Sequence, residues 1–257
     1  MASDSPNSTP HWIAAGKGPG LLLIHGAGGN AAVWWQQMAY FAQTHRTVAY
    51  DMPGFGRTPK VAPEHLDRAF SDGALAVMDA AGLETASVVT QSLGGWAGLR
   101  LALRHPDRVE RLILGCTMAG IAHPPALQSF QASTQKMDAR GPASVALGQQ
   151  LGKEEPAKEY LYQQLGAFNT PFDPAAAQAI FGPDSLIPLE QLKEVKCPVI
   201  IFAGEHDAIW PPAALKGLLP WFEEHEAHFH VFEGCGHSPY FEIPDEYNSV
   251  LGVHLSD

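Results

Sequence analysis

The chain has 257 residues, of which 46% are hydrophobic and 17% are charged. This length and composition suit one globular core with room for an inserted segment, and they argue against intrinsic disorder. The formal net charge is −11, and no cluster of Lys and Arg reverses it locally. We therefore expect no binding to nucleic acid or to anionic membranes, since an acidic surface repels phosphate groups.

Cysteine usage and the polar N-terminus predict the compartment. The three cysteines, Cys116, Cys197 and Cys235, include no C-x-x-C pair, and an odd number cannot all be paired within the chain. Residues 1–10 are polar and have no apolar core, so they predict a leader rather than a signal peptide. No apolar run reaches the roughly 18 residues that span a bilayer. Together these features predict a cytoplasmic protein.

Short apolar segments alternate with helical patterns along the first half of the chain. The predicted strands are His11–Ala15, Leu21–His25, Thr47–Tyr50, Ser87–Thr90 and Arg111–Gly115. The predicted helices are Ala31–Phe41, a stripe of core-facing positions from Leu66 to Ala81, and Leu93–Arg104. Strands and helices that alternate at this spacing predict an α/β fold with a mostly parallel central sheet flanked by helices.

The alternation stops at about Met118 and returns later in the chain. Residues 119–188 lack a convincing strand, and their Ala- and Gln-rich segments predict a small helical insertion. These segments are Gln128–Lys136, Ala143–Leu151, Glu159–Leu165 and Ala175–Ile180. After them come predicted strands at Pro198–Ala203 and Ala227–Phe232, and predicted helices at Ala213–Leu219 and Pro244–Leu255. We therefore expect a core of residues 1–118 and 189–257 with a helical lid at 119–188.

The first chemical motif is the segment Val88–Trp96 (VVTQSLGGW), in which a predicted strand runs directly into a helix at Ser92. A sharp strand-to-helix turn strains a serine backbone and lifts the hydroxyl clear of the sheet. The helix N-terminus beside it favours negative charge. Gly94 and Gly95 leave space for the close backbone approach. On this motif alone, a serine that only caps the helix remains an alternative.

A glycine-rich loop, His25–Asn30 (HGAGGN), follows the second predicted strand. Glycines there allow backbone N–H groups to turn toward a ligand. Such a loop could also hold phosphate, but the chain contains neither G-x-G-x-x-G nor G-x-x-x-x-G-K-[ST]. The absence of both motifs argues against a nucleotide site at this loop.

Two later segments each place a titratable residue after a strand. Asp207 lies in the loop Gly204–Pro211 (GEHDAIWP), where it is a candidate functional carboxylate. A purely structural Asx-turn is the alternative role of Asp207, and Glu205 is the nearest other carboxylate that could take the functional role. His237 lies in the segment Glu233–Pro244 (EGCGHSPYFEIP), and this setting distinguishes it among twelve histidines. Because the carboxyl ends of parallel strands meet at one sheet edge, we expect both side chains near Ser92.

These motifs resemble the α/β-hydrolase fold family, whose nucleophile elbow reads G-x-S-x-G and whose late histidine lies in G-H-x-P-x-x-E-x-P. The late stretch matches throughout, whereas Thr90 replaces the first glycine of the elbow. The chain order of Ser92, Asp207 and His237 is the order of the family. The resemblance covers nearly the whole chain apart from the leader and the insertion.

The resemblance implies that Ser92 is the nucleophile, His237 the general base and Asp207 its acidic partner. It also implies an oxyanion hole formed by the backbone N–H groups of Ala27 and Leu93. No cofactor or metal is expected. The implied function is hydrolysis of a carboxylic ester or lactone of a small-to-medium, largely apolar small molecule through an acyl-enzyme. Carbon–carbon bond hydrolysis of a diketone-like substrate and a slow-turnover ligand receptor are the alternatives.

Several aromatic residues fall near the motif loops and are candidates for a substrate pocket. We expect Trp34, Ile209 and Trp210 to line it, although tryptophans there could equally fill the core. Of the neighbours Trp34 and Trp35, we expect one in the pocket and one in the core.

Two further signals are weaker. His225, His228 and His230 form an H-x-x-H-x-H pattern that could bind a metal, but no second ligand segment is evident, which favours a polar strand start. Cys235 lies two residues before His237, but a cysteine nucleophile needs a setting that stabilises the thiolate. We therefore expect neither a metal site nor a cysteine nucleophile.

Overall fold

A computed structural model describes residues 9–138, 144–170, 174–222 and 226–256. Seven strands form one sheet in the order β1-β3-β2-β4-β5-β6-β7, and β1 alone runs antiparallel, beside β3. This confirms the predicted α/β fold with a mostly parallel sheet. The strands are β1 (Trp12–Ala15), β2 (Gly20–Ile24), β3 (Arg46–Tyr50), β4 (Ala86–Gln91), β5 (Val109–Gly115), β6 (Val199–Gly204) and β7 (Ala227–Phe232).

The central strands are apolar on both faces because helices cover both sides of the sheet. In β2, Leu22 and Ile24 belong to one core, whereas Leu21 and Leu23 belong to the core on the opposite face. Every residue of β4 and β6 is buried. A parallel sheet buried on two faces therefore explains why the sequence shows continuous apolar runs instead of alternation.

The helices of the sheet-forming part follow the predicted pattern closely. In α2 the residues at helical spacing are the buried ones, and the helix ends at Gly82, whose φ of 71° suits glycine. These helices are α1 (Trp35–Phe41), which follows a 3₁₀ turn at Ala31–Trp34, α2 (Leu66–Ala81), α3 (Gly94–Arg104), α8 (Pro212–Lys216), α9 (Pro239–Glu242) and α10 (Pro244–Ser256).

The described residues between β5 and β6 form four α-helices within the predicted insertion: α4 (Pro124–Thr134), α5 (Leu151–Glu154), α6 (Pro156–Ala167) and α7 (Pro174–Ile180). Ile121 and Ile187 form an isolated parallel bridge. The amide of Ala122 donates to the carbonyl of Ile187 over 2.8 Å, and the amide of Ile187 donates to the carbonyl of Gly120 over 2.8 Å. The chain therefore enters and leaves this segment at one place.

One predicted helix is wrong over most of its length. Residues 144 and 145 are in a 3₁₀ turn, residues 146–150 are not helical, and α5 begins only at Leu151, while Ala143 lies outside the described residues. The amide of Gly148 donates to a carboxylate oxygen of Glu242 over 2.9 Å. The amide of Gly148 is therefore used in a tertiary contact, whereas in the helix predicted from the Ala- and Gln-rich composition it would bond to a backbone carbonyl of the same helix.

Among the helices that the structure describes, none combines the length and apolar character needed to cross a membrane. All three cysteines are unpaired and buried.

Candidate active site

Ser92 sits at a strained turn between β4 and α3. Its φ of 51° lies in the left-handed region, which costs a non-glycine residue about 1–3 kcal/mol. Two hydrogen bonds, to the end of β5 and to the loop after it, hold this backbone: the Ser92 amide donates to the Gly115 carbonyl over 2.8 Å, and the Thr117 hydroxyl donates to the Ser92 carbonyl over 2.6 Å. The turn is therefore fixed by the sheet itself, and it orients the serine side chain.

Small residues surround this turn because backbones pass very close to it. A Cβ on Gly26 would lie 2.9 Å from Cβ of Ser92, and one on Gly94 would lie 2.4 Å from the carbonyl oxygen of Ile24. Either distance is shorter than carbon side chains tolerate. The loop after β2 and the start of α3 therefore require glycine here for steric reasons.

Thr90, the departure from the family motif, is accommodated by a glycine on α3. Its hydroxyl donates to the carbonyl of Ile113 over 2.9 Å, and its methyl group faces Gly98, where a Cβ would come within 2.4 Å of it. Threonine is therefore compatible with the elbow geometry.

Asp207 and His237 form a buried pair at the ends of β6 and β7. Nδ1 of His237 donates to Oδ2 of Asp207 over 2.8 Å, and the two side chains are 4% and 0% exposed, respectively. The other oxygen of Asp207 accepts the backbone N–H groups of Ile209 at 2.8 Å and Trp210 at 3.0 Å. The carboxylate is thus fully engaged, and it fixes the orientation of the imidazole ring.

Ser92 and His237 line the same small cavity, together with Ala27 of the glycine-rich loop. Its volume is about 10 Å³, which is about the space of one water molecule. Among the described residues, the Ser92 hydroxyl forms no hydrogen bond with the His237 ring. The two side chains instead face the same cavity. Such bonds often tighten only when substrate binds.

The two predicted oxyanion donors, Ala27 and Leu93, both lie near Ser92. Ala27 lines the cavity, and Leu93 is the residue between Ser92 and the first turn of α3. Within the described residues, neither backbone N–H has a hydrogen-bond acceptor. Both N–H groups therefore remain without a protein acceptor among the described residues.

His25 anchors the glycine-rich loop without taking part in the cavity. Its Nε2 accepts the amide of Met52 over 2.9 Å, so the proton lies on Nδ1, which donates to the carbonyl of Gly26 over 2.8 Å. Burial lowers the pKa of His25 from 6.5 to about 4, although the bond to Gly26 and the charge of Asp51 partly oppose this. The imidazole is therefore neutral at physiological pH.

Two residues at this site had no role predicted from the sequence. Nε2 of Gln91 donates to the carbonyl of His237 over 2.5 Å. Glu242 accepts the amides of Gly236 and Ser238 at 3.1 Å, on both sides of His237, and that of Gly148 at 2.9 Å. Burial raises the pKa of Glu242, opposed in part by these bonds. Glu242 is the glutamate of the late G-H-x-P-x-x-E-x-P stretch, and its place in that motif is the sequence signal that could have predicted a role for it.

The predicted pocket residues lie beside the cavity instead of lining it. Trp34 is fully buried and packs against Tyr240 with the rings tilted by 39° and their centroids 4.4 Å apart, whereas Trp35 is half-exposed. Ile209 and Trp210 are buried, and the Trp210 ring lies 5.7 Å from that of His237. The structure therefore places these side chains behind the site, where they support it.

The competing candidates are arranged differently. Glu205 is 48% exposed and accepts the amide of Gly234, so its carboxylate does not meet the imidazole of His237. Burial raises the pKa of the Cys235 thiol to about 12, which disfavours the reactive thiolate. His228 contacts Glu226 and His254 at the sheet edge, while His225 lies outside the described residues.

In the described ranges, one group of side chains is close enough to share a metal ion: Cys116, Asp207 and His237, with donor atoms within 4.8 Å of one another. Burial raises the pKa of Cys116 well above its usual value, so the thiol is the favoured form. Nδ1 of His237 is already occupied by Asp207. A metal ion would need Cys116 as a thiolate. The three side chains therefore fit the observed hydrogen bond between His237 and Asp207 better than they fit a metal site.

Comparison with known proteins identifies the family. Residues 21–250 match the model of the alpha/beta hydrolase family. The chain belongs to this family. It is 31% identical to 2-hydroxymuconate semialdehyde hydrolase of Pseudomonas sp. strain CF600, over 95% of this chain and 89% of that protein. It is 30% identical to the putative carbamate hydrolase RutD of Caulobacter sp. strain K31, over 92% and 90%.

The fold of this alpha/beta hydrolase is also that of solved structures. The enol-lactonase from Burkholderia xenovorans LB400 superposes with a TM-score of 0.79 at 20% identity, covering 96% of each chain. The protein therefore has the alpha/beta hydrolase fold and belongs to that family. Members of the family cleave different bonds, so the bond cleaved here must be inferred from the residues of the site.

Proposed function

We propose that this alpha/beta hydrolase is a serine hydrolase that cleaves a carboxylic ester or lactone through an acyl-enzyme. One observation carries the proposal: a buried Asp207–His237 pair opens onto a cavity that Ser92 also lines. The strained backbone of Ser92 supports it, because such strain is typical of a nucleophile held above a sheet.

In the proposed reaction, Oγ of Ser92 attacks the substrate carbonyl carbon while Nε2 of His237 takes the hydroxyl proton. The backbone N–H groups of Ala27 and Leu93 stabilise the negative charge on the carbonyl oxygen. When the intermediate collapses, the bond to the leaving alcohol breaks and His237 donates its proton to that oxygen. A water molecule, deprotonated by His237, then releases the acid and restores Ser92.

The role of Asp207 follows from its three hydrogen bonds. It keeps the proton of His237 on Nδ1, so that Nε2 faces the cavity as the base, and it stabilises the imidazolium that forms. The amides of Ile209 and Trp210 hold the carboxylate in place, which limits rotation of the pair. Pre-organisation of this kind lowers the reorganisation needed in the transition state.

The relatives support two candidate bonds. The structural similarity to an enol-lactonase is in keeping with ester or lactone cleavage, which we rank first. The relative that hydrolyses 2-hydroxymuconate semialdehyde acts on a molecule without an ester group, so a carbon–carbon bond must break there. Carbon–carbon bond hydrolysis of a diketone-like substrate is therefore the second candidate.

We also propose that residues 119–188 act as a lid. Ala146 and Tyr162 of this segment line the cavity at Ser92, so it covers the reacting groups. A reducing compartment, such as the cytoplasm, suits three unpaired cysteines.

Covalent labelling tests the proposal directly. A fluorophosphonate probe should add to the wild-type protein at Ser92, and Ser92→Ala should abolish the adduct, because the activated hydroxyl is the only expected nucleophile. Cys235→Ser serves as the control and should retain the label. Turnover of p-nitrophenyl acetate separates an enzyme from a ligand receptor. An adduct that maps to another residue, or no adduct on the wild type, would contradict the assignment.

A further inference from the structure

A second cavity lies within the helical segment, next to the one at Ser92. Its volume is about 140 Å³. Its walls come from the turns before α5, from α5 and from α6, and the lining residues are Ser144, Leu147, Gly148, Gln149, Gly152, Glu159, Tyr162 and Gln163. The larger empty space near the site is thus formed by the helical segment and not by the sheet edge.

Tyr162 lines both cavities and therefore forms the partition between them. Its hydroxyl lies 3.4 Å from that of Ser238, at the long limit of a hydrogen bond, and its ring packs edge-on against Phe241 at 5.0 Å. The Tyr162 hydroxyl also forms a hydrogen bond with Tyr240, and the side chain packs on the hydrophobic core beneath it. Displacing this ring would join the two spaces.

The cavity at Ser92 has room for the attacking water, but not for an acyl or alcohol chain. A substrate that places its carbonyl there must extend elsewhere, and the neighbouring cavity is the adjoining space. The chemistry of that cavity then decides which chain it accepts.

The walls of the second cavity carry one charge among the described residues, the carboxylate of Glu159. Glu159 accepts Nε2 of Gln163 over 3.1 Å, and no Lys or Arg of the described residues forms an ion pair with it. The remaining polar groups of the wall are neutral. A carboxylate without a cation favours a positively charged ligand and repels an anionic one.

We propose that the second cavity, joined to the first by displacement of the Tyr162 ring, binds the tail of the substrate and prefers a protonated amine beside Glu159. This inference rests on the proposed serine hydrolase function and names the class of its substrate. Tyr162 sets the accessible length of the tail, and Glu159 sets its charge.

Two series of matched esters test the proposal, because the tail can belong to the acid or to the alcohol. The first comprises p-nitrophenyl hexanoate, 6-aminohexanoate and adipate monoester. The second comprises the acetates of hexanol, 6-aminohexanol and 6-hydroxyhexanoate. In one of the two series, kcat/KM corrected for the enzyme-free rate should fall from amine to neutral to carboxylate by about fivefold at each step. High salt should reduce the differences, because screening weakens both interactions.

Variants separate the two residues. Glu159→Gln should remove the preference for the amine over the neutral ester, whereas Glu154→Gln, which makes the same charge change at an exposed position of α5, should keep it. Tyr162→Ala should raise kcat/KM for hexanoate relative to acetate by roughly fourfold, the gain from burying one more methylene group. Tyr162→Phe keeps the ring and should retain the wild-type ratio.

Equal kcat/KM for amine and carboxylate tails in both series would overturn the proposal, as would an amine preference that survives Glu159→Gln. If p-nitrophenyl acetate is still hydrolysed in that case, the serine hydrolase function stands and only the tail site is wrong. If no ester of either series is hydrolysed by the wild type, the proposed function itself fails.

Discussion

The buried imidazole of His25 should make the stability of this protein depend on pH in a defined way. Burial lowers its pKa from 6.5 to about 4 in the folded state, whereas the unfolded chain keeps the ordinary value. The neutral form is therefore favoured by folding. This contribution is fully present above pH 6.5 and is lost as the pH falls toward the folded pKa, because the unfolded chain binds the proton first.

The size of the effect follows from the two pKa values. Their difference, converted at about 1.4 kcal/mol per pKa unit, corresponds to about 3 kcal/mol in full. At pH 5 the linkage relation gives a loss of about 2 kcal/mol relative to neutral pH. The same group holds the loop that carries Ala27, so its protonation at low pH should also reduce turnover.

Urea unfolding at pH 7 and pH 5 measures this loss. His25→Gln removes the titrating group, so we expect this variant to be less stable at pH 7 but to lose about 2 kcal/mol less than wild type between the two pH values. His65→Gln changes an exposed histidine and should follow the wild type. If wild type and His25→Gln lose the same free energy of unfolding, the neutral buried imidazole is refuted.

Three further predictions concern the site. Ser92→Ala and His237→Ala should each reduce kcat by several orders of magnitude, and the double variant should be little worse, because the groups act as one unit; additive losses in steady-state kinetics would contradict this. Asp207→Asn should reduce kcat by about 10⁴, since asparagine stabilises the wrong tautomer of His237. A larger loss of kcat in Glu205→Gln would show that Glu205, and not Asp207, is the acidic partner of His237. Glu242→Gln must leave at least one backbone N–H without its acceptor, which should cost about 2 kcal/mol and lower Tm by about 4–8 °C in calorimetry. Glu205→Gln is its charge-matched control, and equal Tm values would contradict the role of Glu242.

Much of the fold could be predicted because the sheet is buried on both faces. Short continuous apolar runs bounded by glycines, such as Leu21–Ile24, favour central strands, and the structure places this run in one. The segment at 144–150 shows the limit of local patterns. Its backbone is held by Glu242, almost a hundred residues later, and nothing in the composition of the segment announces that contact.

The site divides in the same way. Ser92, Asp207 and His237 could be predicted because each follows a strand, and parallel strands end at one edge. The orientation of Trp34 could not be predicted, since its ring packs against Tyr240, about 200 residues later in the chain. The partition formed by Tyr162 was also invisible in the sequence, because it depends on how the helical segment lies over the sheet.

The bridge between Ile121 and Ile187 has a consequence for how such a protein can change. Because the two crossing points already touch, the stretch between them can grow, shrink or be exchanged for another without pulling β5 away from β6. The proposed reacting groups at the sheet edge and the proposed walls of the substrate site thus lie on separable pieces of chain. New specificity can arise by grafting one piece while the chemistry of the other is left intact.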